Sequence, residues 1–253
     1  GSGLTTFDAV VGNTNDLGAI IVSGSGGLDL NAAIGSGATA GATSLAVTGA
    51  TALGADVTTS GTQEYTGLVT ADVAAKRTLT GSTITLTGGL DGGAQALDIA
   101  GDLITGAAMT NITVLDVSGT ARLGGSVTTA DSLTIDGTLT LTTNITLDST
   151  GNDATDDITL AAISGTDGGA TESLVLDAGA AGAISVSGAV TGLEDLSLTL
   201  SDGATFAAVT LNNDFTITGA TTGANITFNG NLSLGGDFIT AASNYNIAIN
   251  EDI

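Results

Sequence analysis

The chain has 253 residues and a formal net charge of −23, from 26 acids against 3 bases, with no cysteine, histidine, proline or tryptophan. That excludes disulfides, thiolate or imidazole metal sites and Ser–His or Cys–His catalysis. The charge repels phosphate backbones and anionic membrane surfaces, so neither nucleic acid nor direct membrane insertion is expected.

Apolar residues make up 42% of the chain and aromatics only 3%. The first figure is too high for a disordered chain. The second implies a narrow core of Leu, Ile, Val and Ala, because a round core of this size leans on rings to fill volume. One unit recurs in chain order: AIIVSG (19–24), SLAVTG (44–49), TITLTG (83–88), ALDIAG (96–101), VLDVSG (114–119), SLTIDG (132–137), SLVLDAG (173–179), AISVSG (183–188), DFTITG (214–219), NITFNG (225–230) and NLSLGG (231–236). Each is a short run alternating apolar and small polar residues, closed by Gly, Asp or Asn. Such runs read as strands ended by turns. The nearest approach to a helix is TADVAAKRTLT (70–80), which is short and runs into Thr-Leu-Thr.

Many short strands fit a sandwich, a closed barrel or a solenoid. Repetition, small inward residues and stackable Thr and Asn favour the solenoid, in which each coil is buried by its neighbours. The expectation is an all-β parallel β-helix. At roughly 20 residues per coil it would have about 11–13 coils, as one segment over 1–253. GAIIVSG (18–24) recurs as GAISVSG (182–188), which suggests a slice of a longer array. LTTFDAVVGN at the start and YNIAINEDI at the finish read as further strand, with no obvious caps.

TSGTQEYTGLVT (59–70) and LTGSTITLTGGLDGGAQALDIAGD (79–102) resemble repeats of giant bacterial surface exoproteins, the filamentous-haemagglutinin-like and autotransporter-type adhesins. NITLDSTGNDATDDITLAAISGTDGGATESLVLDAGAAGAISVSGAV (144–190) is similar to their companion segment. VTADVAAKRTLTG (69–81) departs from the pattern and is expected to form a bulge or loop. The resemblance implies a right-handed parallel β-helix, secreted or held at a bacterial surface, with roles in adhesion, aggregation or matrix and biofilm building. The corresponding function is a non-enzymatic stalk. The alternative is a filament, sheath or S-layer-like subunit joined end to end through open coils. Partners would be further repeats of the parent chain, other copies, or cell-surface glycans and proteins.

Candidate sites are few. Asp153, Asp156 and Asp157 put three carboxylates into one loop and are candidate Ca²⁺ ligands, with Asn152 able to add a carbonyl; a solvated turn is the plainer reading. Fragments such as GSGGLDLN (24–31) and GGLDGGAQ (88–95) do not complete a calcium-stacking repeat. Much of the remaining acidity is expected to be turn chemistry, since Asp bonds readily to nearby backbone N–H groups. Paired carboxylates could hydrolyse glycosides, but Tyr65 and Tyr245 lie too far apart in sequence to suggest a sugar platform. Outward Thr in TLTLTTNITL (138–147) is mixed with Ser, Asp and Asn elsewhere, unlike a strict ice-binding array. Asn111, Asn144, Asn225 and Asn231 open N-x-T or N-x-S triplets and are read as turn residues. Lys76-Arg77 is read as a solvated loop. Phe206, Phe215, Phe228 and Phe238 are expected to stack inside the last coils.

Overall fold

The computed structural model describes residues 2–15, 17–35, 41–149, 151, 153–166, 171–241 and 244–251. Every regular element among them is a strand, 29 in all, and the strand pairings are parallel. The fold is a parallel β-helix, and the chain divides into two compact units, 1–119 and 120–253.

In the first unit each coil has three walls. The first wall stacks Thr5, Leu28, Thr51, Val69, Leu90 and Met109 in register. The second runs from Val11 through Ile34, Val57, Leu79 and Ile99 to Val117. The third stacks Ile20, Leu45, Gln63, Ile84 and Leu103. Strand alternation sends one face inward, so Leu28, Leu30, Leu45, Leu53, Leu79, Ile84 and Leu86 are fully buried. Each such side chain contributes about 1.5–3 kcal/mol over leaving it exposed. The inward rows include one polar pair. Tyr65 and Gln63 are both fully buried, and the Tyr65 hydroxyl donates to Gln63 Oε1 at 2.9 Å. Gln63 Nε2 in turn donates to the Thr80 carbonyl at 2.8 Å. The pair is therefore satisfied inside the core, and burial pushes the Tyr65 phenol far above its ordinary pKa.

Glycine makes the corners. Between the second and third walls Gly61, Gly81, Gly101 and Gly119 lie one above another. A Cβ on Gly81 would stand 2.7 Å from the Gly61 carbonyl oxygen, and one on Gly119 2.5 Å from that of Gly101. The coils approach here more closely than any side chain allows.

The second unit repeats the three-walled plan with six strands per wall. One wall stacks Ala121, Leu139, Ile163, Val190, Val209 and Leu232. The next begins at Val127–Thr129 and Ile145–Asp148 and continues through Leu174, Leu196, Phe215 and Phe238. The last stacks Leu133, Ile158, Ile184, Ala204, Ile226 and Ile247. Coil length varies because corners absorb extra residues: Leu139 lies 18 residues after its partner Ala121, but Leu174 lies 29 after Ile145. The core rows stay in register through the longest coils.

The basic pair differs from the sequence expectation. Lys76 is exposed and forms an ion pair with Asp98; that carboxylate raises its pKa. Arg77 opens the strand Arg77–Leu86, shares the inward face with Leu79, and is only 7% exposed. Its Nε donates to the Leu53 carbonyl at 3.3 Å and a terminal nitrogen to the Lys76 carbonyl at 2.9 Å. Strand alternation, rather than its charged neighbour, decides where it points.

Candidate metal centre

Where a wall ends, the backbone ladder loses its regular partners, and the orphan N–H groups need acceptors. Short acids and amides supply them from the adjoining coil. Asp56 Oδ1 accepts from the Thr78 N–H at 2.9 Å, Asn144 Oδ1 from Ser173 at 3.0 Å, Asp195 Oδ1 from Asp214 at 3.1 Å and Asp214 Oδ1 from Asp237 at 2.7 Å. These contacts account for several acids as corner chemistry. Amide ladders do similar work: Asn111 Nδ2 donates to Asp91 Oδ1 at 2.9 Å, and Asn246 Nδ2 to Asn225 Oδ1 at 3.1 Å. Three of the four N-x-T/S asparagines are thus engaged side chain to neighbouring coil.

One corner is different. It joins Val127–Thr129 to Leu133–Ile135, and one coil on it joins Ile145–Asp148 to Ile158–Leu160. The lower turn supplies Asp131 and the longer upper loop supplies Asp153 and Asp156. One carboxylate oxygen from each lies within 4.8 Å of the others. Asp157, expected from sequence to be the third ligand, turns away: its Oδ1 accepts the Ala183 N–H at 2.8 Å. Asn152 lies outside the described residues.

Buried hydroxyls hold the two turns. Thr129 Oγ1 donates to the Asp131 carbonyl at 2.6 Å, and the fully buried Ser149 donates to the Asp156 carbonyl at 2.6 Å. Asp131 Oδ1 accepts from the Ser132 N–H at 2.8 Å. Asp153 Oδ1 accepts from the N–H and hydroxyl of Thr155, which hold its carboxyl below the usual range. Asp156 is fully buried. Its Oδ2 accepts the Asp153 N–H at 2.8 Å, while its Oδ1 is buried with no hydrogen-bond partner. Like charges at 4 Å near a protein surface repel by roughly 4 kcal/mol before screening, and a buried acceptor left unmade adds its own cost. As arranged, this donor set can chemically do one thing well, which is to surround a hard cation with oxygen.

A second buried carboxylate stands alone. Glu172 is 4% exposed, and Thr166 Oγ1 donates to its Oε1 at 2.5 Å. That bond holds the carboxyl below its ordinary value of 4.5, against the opposing effect of burial. Its folded pKa lies below the unfolded one, so its stabilising contribution is present above the unfolded pKa and is lost as pH falls through the folded value. The stability of wild type relative to Glu172→Gln is therefore expected to shrink as pH is lowered from about 5 to about 2, measured by urea unfolding at each pH. A gap that stays constant over that range would show that the Thr166 bond does not favour the ionised form.

The chain matches no family model, no curated protein and no solved structure.

Proposed function

We propose that this chain is a structural stretch of an extracellular bacterial surface protein, a non-enzymatic β-helical stalk of the kind its repeats resemble in filamentous-haemagglutinin-like and autotransporter-type adhesins. The observation that carries the reading is the unbroken stacking of inward rows in each unit, such as Leu133–Ile158–Ile184 and Ile34–Val57–Leu79. Side chains are spent on holding coil to coil, and corner acids and amides on satisfying backbone groups. Such a design resists extension, because pulling must break a whole coil of parallel ladder and its buried row together.

The test combines force and binding. Single-molecule pulling on the chain by its two ends is expected to give a series of coil-sized unfolding steps, and beads coated with it are expected to ignore a glycan array. Saturable capture of a defined glycan would replace the passive stalk with an adhesive surface. A single low-force extension would remove the mechanical role.

An exposed apolar hollow favours a second reading as a self-assembling filament or sheath subunit. Leu232, Leu234, Phe238 and Ile249 line a hollow of about 490 Å³, with Ile239 and Ile247 exposed beside it at 44% and 39%. A coil of another copy would cover it. Fibres of the purified chain under the electron microscope would support the filament; particles that stay single at high concentration would count against it.

A further inference from the structure

We propose that the corner formed by Asp131, Asp153 and Asp156 is a Ca²⁺ site, and that the ion fastens Asp153 and Asp156 to the coil below them. Three carboxylate oxygens from two successive coils lie within 4.8 Å of one another. A group of acids alone would be unremarkable on a chain of net charge −23. A further observation points to a ligand. Asp156 is fully buried, yet its Oδ1 meets no donor. Most buried polar atoms have a hydrogen-bond partner, and this anionic oxygen, beside two further carboxylates, is left free to take a cation.

Gly151 faces the same oxygen: a Cβ built there would stand 2.5 Å from Asp156 Oδ1 and 1.9 Å from the Ala130 carbonyl oxygen. The glycine lets the two turns pack closely, so that a carboxylate oxygen from the upper loop and a main-chain carbonyl from the turn below meet at one point. All the donors are oxygen, three of them anionic, and they come from an irregular loop rather than a rigid octahedral frame. That set suits Ca²⁺, which takes six to eight oxygens with flexible geometry, better than Mg²⁺, which demands a tight octahedron and gives up water reluctantly. Zn²⁺ would look for nitrogen or sulfur, and the chain has neither histidine nor cysteine.

Each ligand already has a second bond fixing its direction. Ser132 orients Asp131, Thr155 orients Asp153, and the Asp153 N–H holds the far oxygen of Asp156. Outer contacts of this kind pre-position ligands for an ion.

The experiment is calcium titration by calorimetry on the full chain, stripped with EDTA and studied in about 0.15 M NaCl to screen diffuse binding, with thermal unfolding in CaCl₂ and in EDTA. One saturable Ca²⁺ per chain is expected, with a Kd of about 10⁻⁴ M, as for extracellular calcium modules. Asp131→Asn and Asp156→Asn should each weaken it at least about tenfold, and Gly151→Ala should do the same by displacing Asp156 Oδ1. Asp157→Asn should leave it unchanged. The melting shift should also change sign. In EDTA, Asp156→Asn should melt above wild type, because a repulsion is relieved; in CaCl₂ it should melt below. Absence of saturable binding, equal affinity in wild type and both Asp→Asn variants, or a shift of one sign in both conditions would each overturn the assignment.

Discussion

Replacing Gly101 by alanine is expected to destabilise the first unit by about 3 kcal/mol or more, while alanine at Gly18 changes stability by less than about 1 kcal/mol. The two glycines have the same chemistry and opposite surroundings. Gly101 has φ +153°, a conformation costing an L-residue of order 1–3 kcal/mol, and its missing Cβ would stand 2.0 Å from the Gly81 carbonyl oxygen. That neighbour is backbone and cannot rotate aside. To make room the coils must part at a corner where Gly119 also lies against the Gly101 carbonyl, with only 2.5 Å to spare for a Cβ. Overpacking of this kind adds a further 1–3 kcal/mol. Around Gly18 nothing lies within 4 Å of the same ideal position, so alanine there mainly lowers the entropy of the unfolded chain. Urea midpoints, read with hydrogen exchange at Leu79, Ile99 and Val117, would measure both. Equal midpoints for the two variants would mean that the corner is looser than its geometry and that the glycine ladder is not what sets coil spacing.

The walls were legible in the sequence because a strand facing a core leaves a period-two record. Leu133 and Ile135, or Leu139 and Leu141, announce their inward face without any knowledge of neighbours. Repetition of that record with Gly, Asp or Asn at each break announced coils, and the four late phenylalanines announced their own stack. Register was not legible. Whether Ile145 pairs 18 or 29 residues on depends on how many residues a corner pushes outward, and polar corner residues carry no period. The metal corner shows the consequence. Reading along the chain groups Asp153 and Asp156 with Asp157, the nearest carboxylate in sequence. Stacking groups them instead with Asp131, one coil earlier, because Leu133 lies in register with Ile158. Aligning Asp131-Ser132-Leu133 over Asp156-Asp157-Ile158 was the available signal, and it needed the coil length. Arg77 shows the opposite case. The alternation Arg77, Leu79 marked it as inward, but charge and the adjacent Lys76 argued for solvent, and the local period proved the better guide.

Phe228→Ala is expected to cost about 4 kcal/mol, within the range for removing a buried ring, and Phe228→Leu less than about half of that. Phe228 is fully buried and sits in register between Phe206 and Ile249. Its ring stacks on Phe206 with centroids 5.5 Å apart and meets Phe215 edge-on at 5.1 Å and Phe238 edge-on at 5.9 Å. Phe215 and Phe238 are themselves stacked at 5.5 Å along the neighbouring wall. Two columns of rings therefore interlock across these coils, each stacked along its own wall and edge-on to the other. A ring pair of this geometry contributes about 0.5–1.5 kcal/mol beyond area burial. Alanine loses the burial, opens a void between fixed β-ladders that cannot collapse into it, and removes three ring contacts together. Leucine keeps most of the volume and loses only the ring-specific part. The double cycle of Phe206→Ala with Phe228→Ala separates the two effects: a coupling of about 0.5–1.5 kcal/mol would belong to the stacked pair, and the rest of the loss to cavity. If Phe228→Leu unfolded at the same urea concentration as wild type, the interlock would contribute nothing that shape alone does not. The rings would then be fillers for wide coils rather than a clamp between walls.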